Sequence, residues 1–179
     1  MMSQQGFAKV WILVLLGALG APPAHSGERG NPKETESLLA KQVLNKATAF
    51  LQAKQSADGA WRSETYGLLK SGQSLTPFIL FALTDSLSDN PEPNEDSIQK
   101  AISFLRAKSD PNGVHGRADP DFLDYPNYST AYALRCFLRF GNEHDQARIE
   151  KMTSYLEAQQ FSENSGFEPS SAAYGGWGF

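Results

Sequence analysis

One cysteine, three histidines and three methionines are the only soft ligands in 179 residues. A lone Cys136 excludes an internal disulfide, a cysteine-rich zinc site and an iron–sulfur cluster. Positive charge is also short, with 16 Lys plus Arg against 20 Asp plus Glu and a formal charge of −4. That balance excludes a basic nucleic-acid binder, so no nucleic-acid partner is expected. Glycine-rich phosphate loops, metal-ligand clusters and hydrolase triads are missing too, and neither a cofactor nor a metal is expected. What is present is 40% hydrophobic, 20% charged and 11% aromatic residues, the make-up of a chain that builds a core.

The one long apolar run lies near the start, Val10-Trp11-Ile12-Leu13-Val14-Leu15-Leu16-Gly17-Ala18-Leu19-Gly20-Ala21, just after Lys9. It has the length of a secretory signal core and is short for a bilayer span. Ala24 and Ser26 supply the small residues that a signal peptidase accepts, so residues 1–26 read as a signal peptide cleaved after Ser26. A retained membrane anchor is the other reading, which leaves membrane contact open. The chain is thus expected to be exported, to a periplasm or outside the cell. Residues 27–40, polar at first and containing Gly30 and Pro32, read as a linker.

Self-comparison organises the rest. Lys46-Ala47-Thr48-Ala49-Phe50-Leu51-Gln52-Ala53-Lys54 lines up with Lys100-Ala101-Ile102-Ser103-Phe104-Leu105-Arg106-Ala107-Lys108, and a third copy starts at Lys151 with Tyr155-Leu156-Glu157-Ala158-Gln159-Gln160. Thr76 to Leu83 likewise sits over Thr130 to Phe137 at the same spacing. Repeats near 41–90, 97–142 and 148–179 follow, about two and a half units of stacked supersecondary structure. Each unit holds one helix with a wet side, as at Val43, Leu44, Ala47, Phe50 and Leu51, and one apolar almost all round, as from Leu75 to Leu87 or Tyr128 to Phe140. An all-α fold in two layers is expected.

The turn after the first outer helix carries the most specific pattern: Phe50-Leu51, Gln55, Gly59 and Trp61 at the spacing of the QW repeat. The second copy keeps Phe104-Leu105 and Gly113 but has Ser109 and His115 for the Gln and Trp. The third keeps Tyr155, Leu156 and Gln160 and reaches Gly166-Phe167 with two extra residues in the turn. On these residues the segment resembles the terpenoid cyclase and protein prenyltransferase superfamily, specifically its prenyltransferase and squalene oxidase repeat. The resemblance implies an α/α toroid with helical hairpins arranged concentrically. Gln55, Asp58, Gly59, Trp61, Gly113, Gln160, Gly166 and Trp177 read as structural, because capping and stacking suit their chemistry and none is a nucleophile or a paired acid.

The resemblance also places a cavity at the loops leading into the inner helices, Gly67 to Phe78 and Asp119 to Tyr132. Phe78, Tyr128 and Tyr132 would line it, with Asp121 and Asp124 as weak candidates for a catalytic acid. Acids facing ring faces suit carbocation chemistry, and an isoprenoid or another apolar small molecule is the expected partner. The aspartate-rich motif of the cyclase branch is absent, however, since Pro126, Tyr128 and Ser129 stand where its aspartates belong. The zinc-dependent branch is disfavoured because Cys136 lies in an apolar helix and neither His115 nor His144 has ligand spacing to it. Terpene cyclisation, a non-catalytic scaffold or binding toroid, and a carbohydrate-active toroid remain the function classes. Later repeats, or another chain, are expected to close the ring.

Overall fold

The computed structural model describes residues 32–85, 94–117 and 124–178. Among the described residues five α-helices run in order: α1 (Pro32–Ala53), α2 (Leu75–Asp85), α3 (Glu95–Lys108), α4 (Pro126–Phe140) and α5 (Gln146–Ala158). No strand occurs among the described residues, only an isolated bridge between Gln160 and Trp177. The fold is all-α. α2 and α4 pack on each other, α3 packs on both, and α5 packs on α4. The core they enclose is built from Leu80, Leu83, Ile98, Ala101, Ile102, Leu105, Ala133, Phe137 and Met152, with Trp61 and Ala60 from the first turn.

The signal-peptide segment lies outside the described residues, as do residues 27–31. From Pro32 onward, the polar stretch expected to be a linker up to residue 40 is instead the start of α1. Proline is tolerated in a first turn, where its missing N–H costs nothing, and Glu34 sits favourably at the positive end of the helix dipole. Lys, Glu, Leu and Ala then supply helix propensity. The apolar period showed only the second half of this helix because the first half leaves its leucines in water: Leu38 and Leu39 are exposed. Only Thr48, Leu44 and Leu51 begin to face the core.

α3 is defined more tightly. Asn94 accepts a hydrogen bond from the Ser97 amide at 2.8 Å, Glu95 and Asp96 occupy the first turn and Arg106 and Lys108 the last, so caps and dipole agree. Asp145 anchors the start of α5. Its carboxylate is buried and takes Arg106 Nη2 at 2.8 Å and Arg148 Nη1 at 2.6 Å. The Arg106 guanidinium holds it below the usual carboxylate range.

Candidate functional site

The three turns that follow α1, α3 and α5 set the geometry of the site, because each sends the chain toward the next element. In the first, the Gly59 amide donates to Ser56 O at 2.9 Å and Ser56 N to Ala60 O at 2.8 Å, with Gly59 at φ +88°. In the second, Gly113 N bonds Asp110 O and Asp110 N bonds Val114 O, both at 2.9 Å. The third closes in the same way at a different place, Gly175 N to Phe161 O at 2.7 Å and Phe161 N to Gly176 O at 2.9 Å. Gly175, at φ +80°, is therefore the counterpart of Gly59.

That corrects the assignment of Gly166, which ends a short 3-10 turn, Glu163–Ser165, inside an inserted loop. The tryptophans confirm the register. Trp61 Nε1 donates to Leu51 O across ten residues, whereas Trp177 Nε1 donates to Leu156 O across twenty-one, each at 2.6 Å. The insertion is thus longer than two residues, and Phe167 within it stacks on Phe161 of the turn. Gln160 Nε2 bonds Gly175 O as Gln55 Nε2 bonds Gly59 O. Gln55 reaches further, donating to Ser97 O at 2.9 Å and so binding the first turn to the start of α3. Asp58 holds Arg62 in a two-pronged surface pair, and the Arg62 contact lowers its pKa to about 2.

The second turn departs in chemistry. The His115 amide donates to Thr130 Oγ1 as the Trp61 amide does to Thr76 Oγ1, but the imidazole is fully buried and its Nε2 has no hydrogen-bond partner. Burial, with the Arg148 charge adding to it, pushes its pKa down to about 3. Ser109, which replaces the glutamine, donates to Leu105 O at 2.9 Å and so takes the carbonyl that tryptophan satisfies in the other two turns.

At the starts of α2 and α4 four rings gather. Tyr128 and Tyr132 have centroids 4.7 Å apart, Phe78 lies 5.2 Å from Tyr132 edge-on, and Phe81 5.5 Å from Tyr132. The expected lining residues Phe78, Tyr128 and Tyr132 are thus brought together. A cleft of about 360 Å³ opens beside them, walled by Leu69, Ser74, Leu75, Phe78, Tyr125 and Tyr128. Tyr125 is held in the left-handed region at φ +46°, a conformation that costs a residue with a side chain about 1 kcal/mol or more.

Asp124 is buried behind Ser74 and does not line the cleft. Its carboxylate accepts from Ser71 Oγ and Ser74 Oγ, both at 2.5 Å, and from the Ser74 amide at 3.2 Å. Ser129 donates to its backbone carbonyl. It is therefore a clamp joining the approaches to two helices, since a buried carboxylate must find such partners. The other acid considered, Asp121, falls outside the described residues. Cys136 is a core residue whose thiol burial pushes up to about 12, far from the thiolate that zinc needs. Among the described residues no group of His, Cys, Asp and Glu is placed to hold a metal ion, and no helix is long and apolar enough to cross a membrane.

Neither a family model nor a curated protein nor a solved structure matches this chain.

Proposed function

We propose that this chain is an exported segment of a QW-repeat α/α toroid, similar to the squalene cyclase and prenyltransferase repeat proteins, that binds an isoprenoid or a comparable apolar molecule. The observation that carries the reading is the cleft at the starts of α2 and α4, lined mainly by rings and aliphatic side chains. A mostly apolar wall with a few hydroxyls, here those of Ser74, Tyr125 and Tyr128, is the make-up of small-molecule sites that take a hydrocarbon and fix one end. Binding without cyclisation fits better than catalysis. Protonating an alkene needs an acid that reaches it, and Asp124 has both oxygens engaged by serine donors with Ser74 between it and the cleft.

The test is titration of the full-length chain with farnesol and with squalene, read by tyrosine and tryptophan emission, followed by mass spectrometry of the recovered ligand. Saturable binding, weakened about tenfold in Tyr128→Ala by loss of one stacking ring, with the ligand recovered unchanged, is the expected result. A cyclised product would assign catalysis instead. No binding of either ligand would leave a scaffold whose repeat surfaces serve recognition.

A further inference from the structure

Three arginines are paired with acids: Arg62 with Asp58, and Arg106 and Arg148 with Asp145. Arg135 is different. It is exposed on α4, and among the described residues no hydrogen bond or ion pair engages it. Its one contact is with a ring, the guanidinium carbon lying 3.9 Å from the centroid of Phe81 on α2. A guanidinium held against a ring keeps its N–H groups in its own plane, so they remain available to an acceptor. The chain carries a formal charge of −4, which makes this cation a local exception at a fixed place.

That place continues the ring cluster. Phe81 lies against Tyr132, and Tyr132 against Phe78 and Tyr128, with centroids 5.5, 5.2 and 4.7 Å apart. Tyr128, Tyr132 and Arg135 follow at spacings of four and three residues and so share one face of α4. Phe78 and Tyr128 are 38% and 39% exposed and also wall the cleft. Rings therefore run without a break from the cleft at the start of α4 to a guanidinium two turns further on. At the rise of an α-helix, the step from Tyr128 to Arg135 is about 10 Å of mostly aromatic path.

We infer that the ligand of this cleft is an amphiphile with an acid head, its apolar chain lying along the ring row and its carboxylate taken by Arg135. A guanidinium receives a carboxylate through two parallel N–H···O bonds, and one unpaired cation matches one negative charge. The tail then occupies the cleft, while the head sits at the exposed end of the row, where it keeps part of its water and avoids the cost of burying a charge. Isoprenoid acids and straight-chain fatty acids share this chemistry. The inference rests on the reading of the cleft as an apolar binding site and adds the charge of what it binds.

Titration calorimetry of the full-length chain at neutral pH tests it with two matched pairs, farnesoic acid against farnesol and dodecanoic acid against dodecanol. Within each pair the chain is the same or nearly so and the head differs. At least one acid is expected to bind about tenfold more tightly than its alcohol, and the pair with the tighter acid tells a branched chain from a straight one. Added salt should narrow the gap. Arg135→Gln should erase it and leave the affinity for the alcohol as it was, whereas Arg135→Lys, which keeps the charge without the fork, should retain part of it. Acids that bind no more tightly than their alcohols overturn the inference and leave the apolar site standing. An acid preference that survives Arg135→Gln overturns it too, and so does loss of the alcohol along with the acid, which would make Arg135 a support for the rings. Failure of all four ligands to bind overturns both the inference and the reading beneath it.

Discussion

The first and third turns share the same bonds and differ in what surrounds them. Trp61 and Trp177 each cap a leucine carbonyl, and Gln55 and Gln160 each hold a glycine carbonyl, yet the first turn is sealed under α3 while the third is open. The comparison separates two roles that one motif combines. Hydrogen bonding within the turn is local and survives without a neighbour, whereas the large apolar ring and the naked face of the glycine stabilise the fold only where a following unit covers them.

Truncating the rings breaks the comparison most sharply. Trp61→Ala should cost about 4 kcal/mol through lost burial and the cavity left behind, and Trp177→Ala about 1 kcal/mol, since half its surface is already in water. Urea denaturation midpoints read the difference, and equal losses would show that burial is not what distinguishes the turns. Substituting the glycines gives the next contrast. Gly59→Ala meets both a positive φ and the α3 backbone and should cost about 3 kcal/mol. Gly166→Ala meets only the positive φ, at about 1 kcal/mol. A thermal melt that ranks Gly166 with Gly59 would restore Gly166 to the repeat motif.

The second turn sharpens the picture through pH. The imidazole of His115 is buried neutral, with a folded pKa of about 3 against 6.5 for the free side chain. Between those values the unfolded chain binds the extra proton, so the stability that neutral His115 allows is whole above pH 6.5 and is lost as pH falls toward 3. The slope approaches about 1.4 kcal/mol per pH unit from this group. His115→Leu, which removes the titrating group and its unpartnered nitrogen, should flatten that part of the profile. Chemical denaturation at pH 7 and at pH 4.5 measures it, and an unchanged difference between the two pH values would show that another group controls acid stability.

Much of this was readable before any coordinates. The period from Lys46 to Lys100, the glycines Gly59 and Gly113 and the apolar face of α3 announced themselves, because similar units solve the same packing problem, whereas α4, expected to be apolar almost all round, leaves Arg135, Leu138 and Arg139 exposed. The third turn misled because an insertion moves the closing residues without altering their chemistry. Gly166 looked like the turn glycine as the first one met after Gln160, whereas closure depends on which amide reaches Phe161 O. Asp124 was legible as an acid near a helix start, but its partners Ser71 and Ser74 lie some fifty residues earlier in the chain, and no local pattern announces such a pairing.

The start of α1 marks the same boundary from the other side. Periodicity reports burial, so a helix that buries nothing over its first turns is invisible to it, although propensity and the proline at its head were in the sequence. The sequence alone determined the helical class and the glycines of the first two turns, since these depend on residue type and short spacing. Only the tertiary structure decided which turn closes where, which carboxylate is spent as a clamp and which faces are left bare. Those outcomes depend on surfaces brought together from distant parts of the chain.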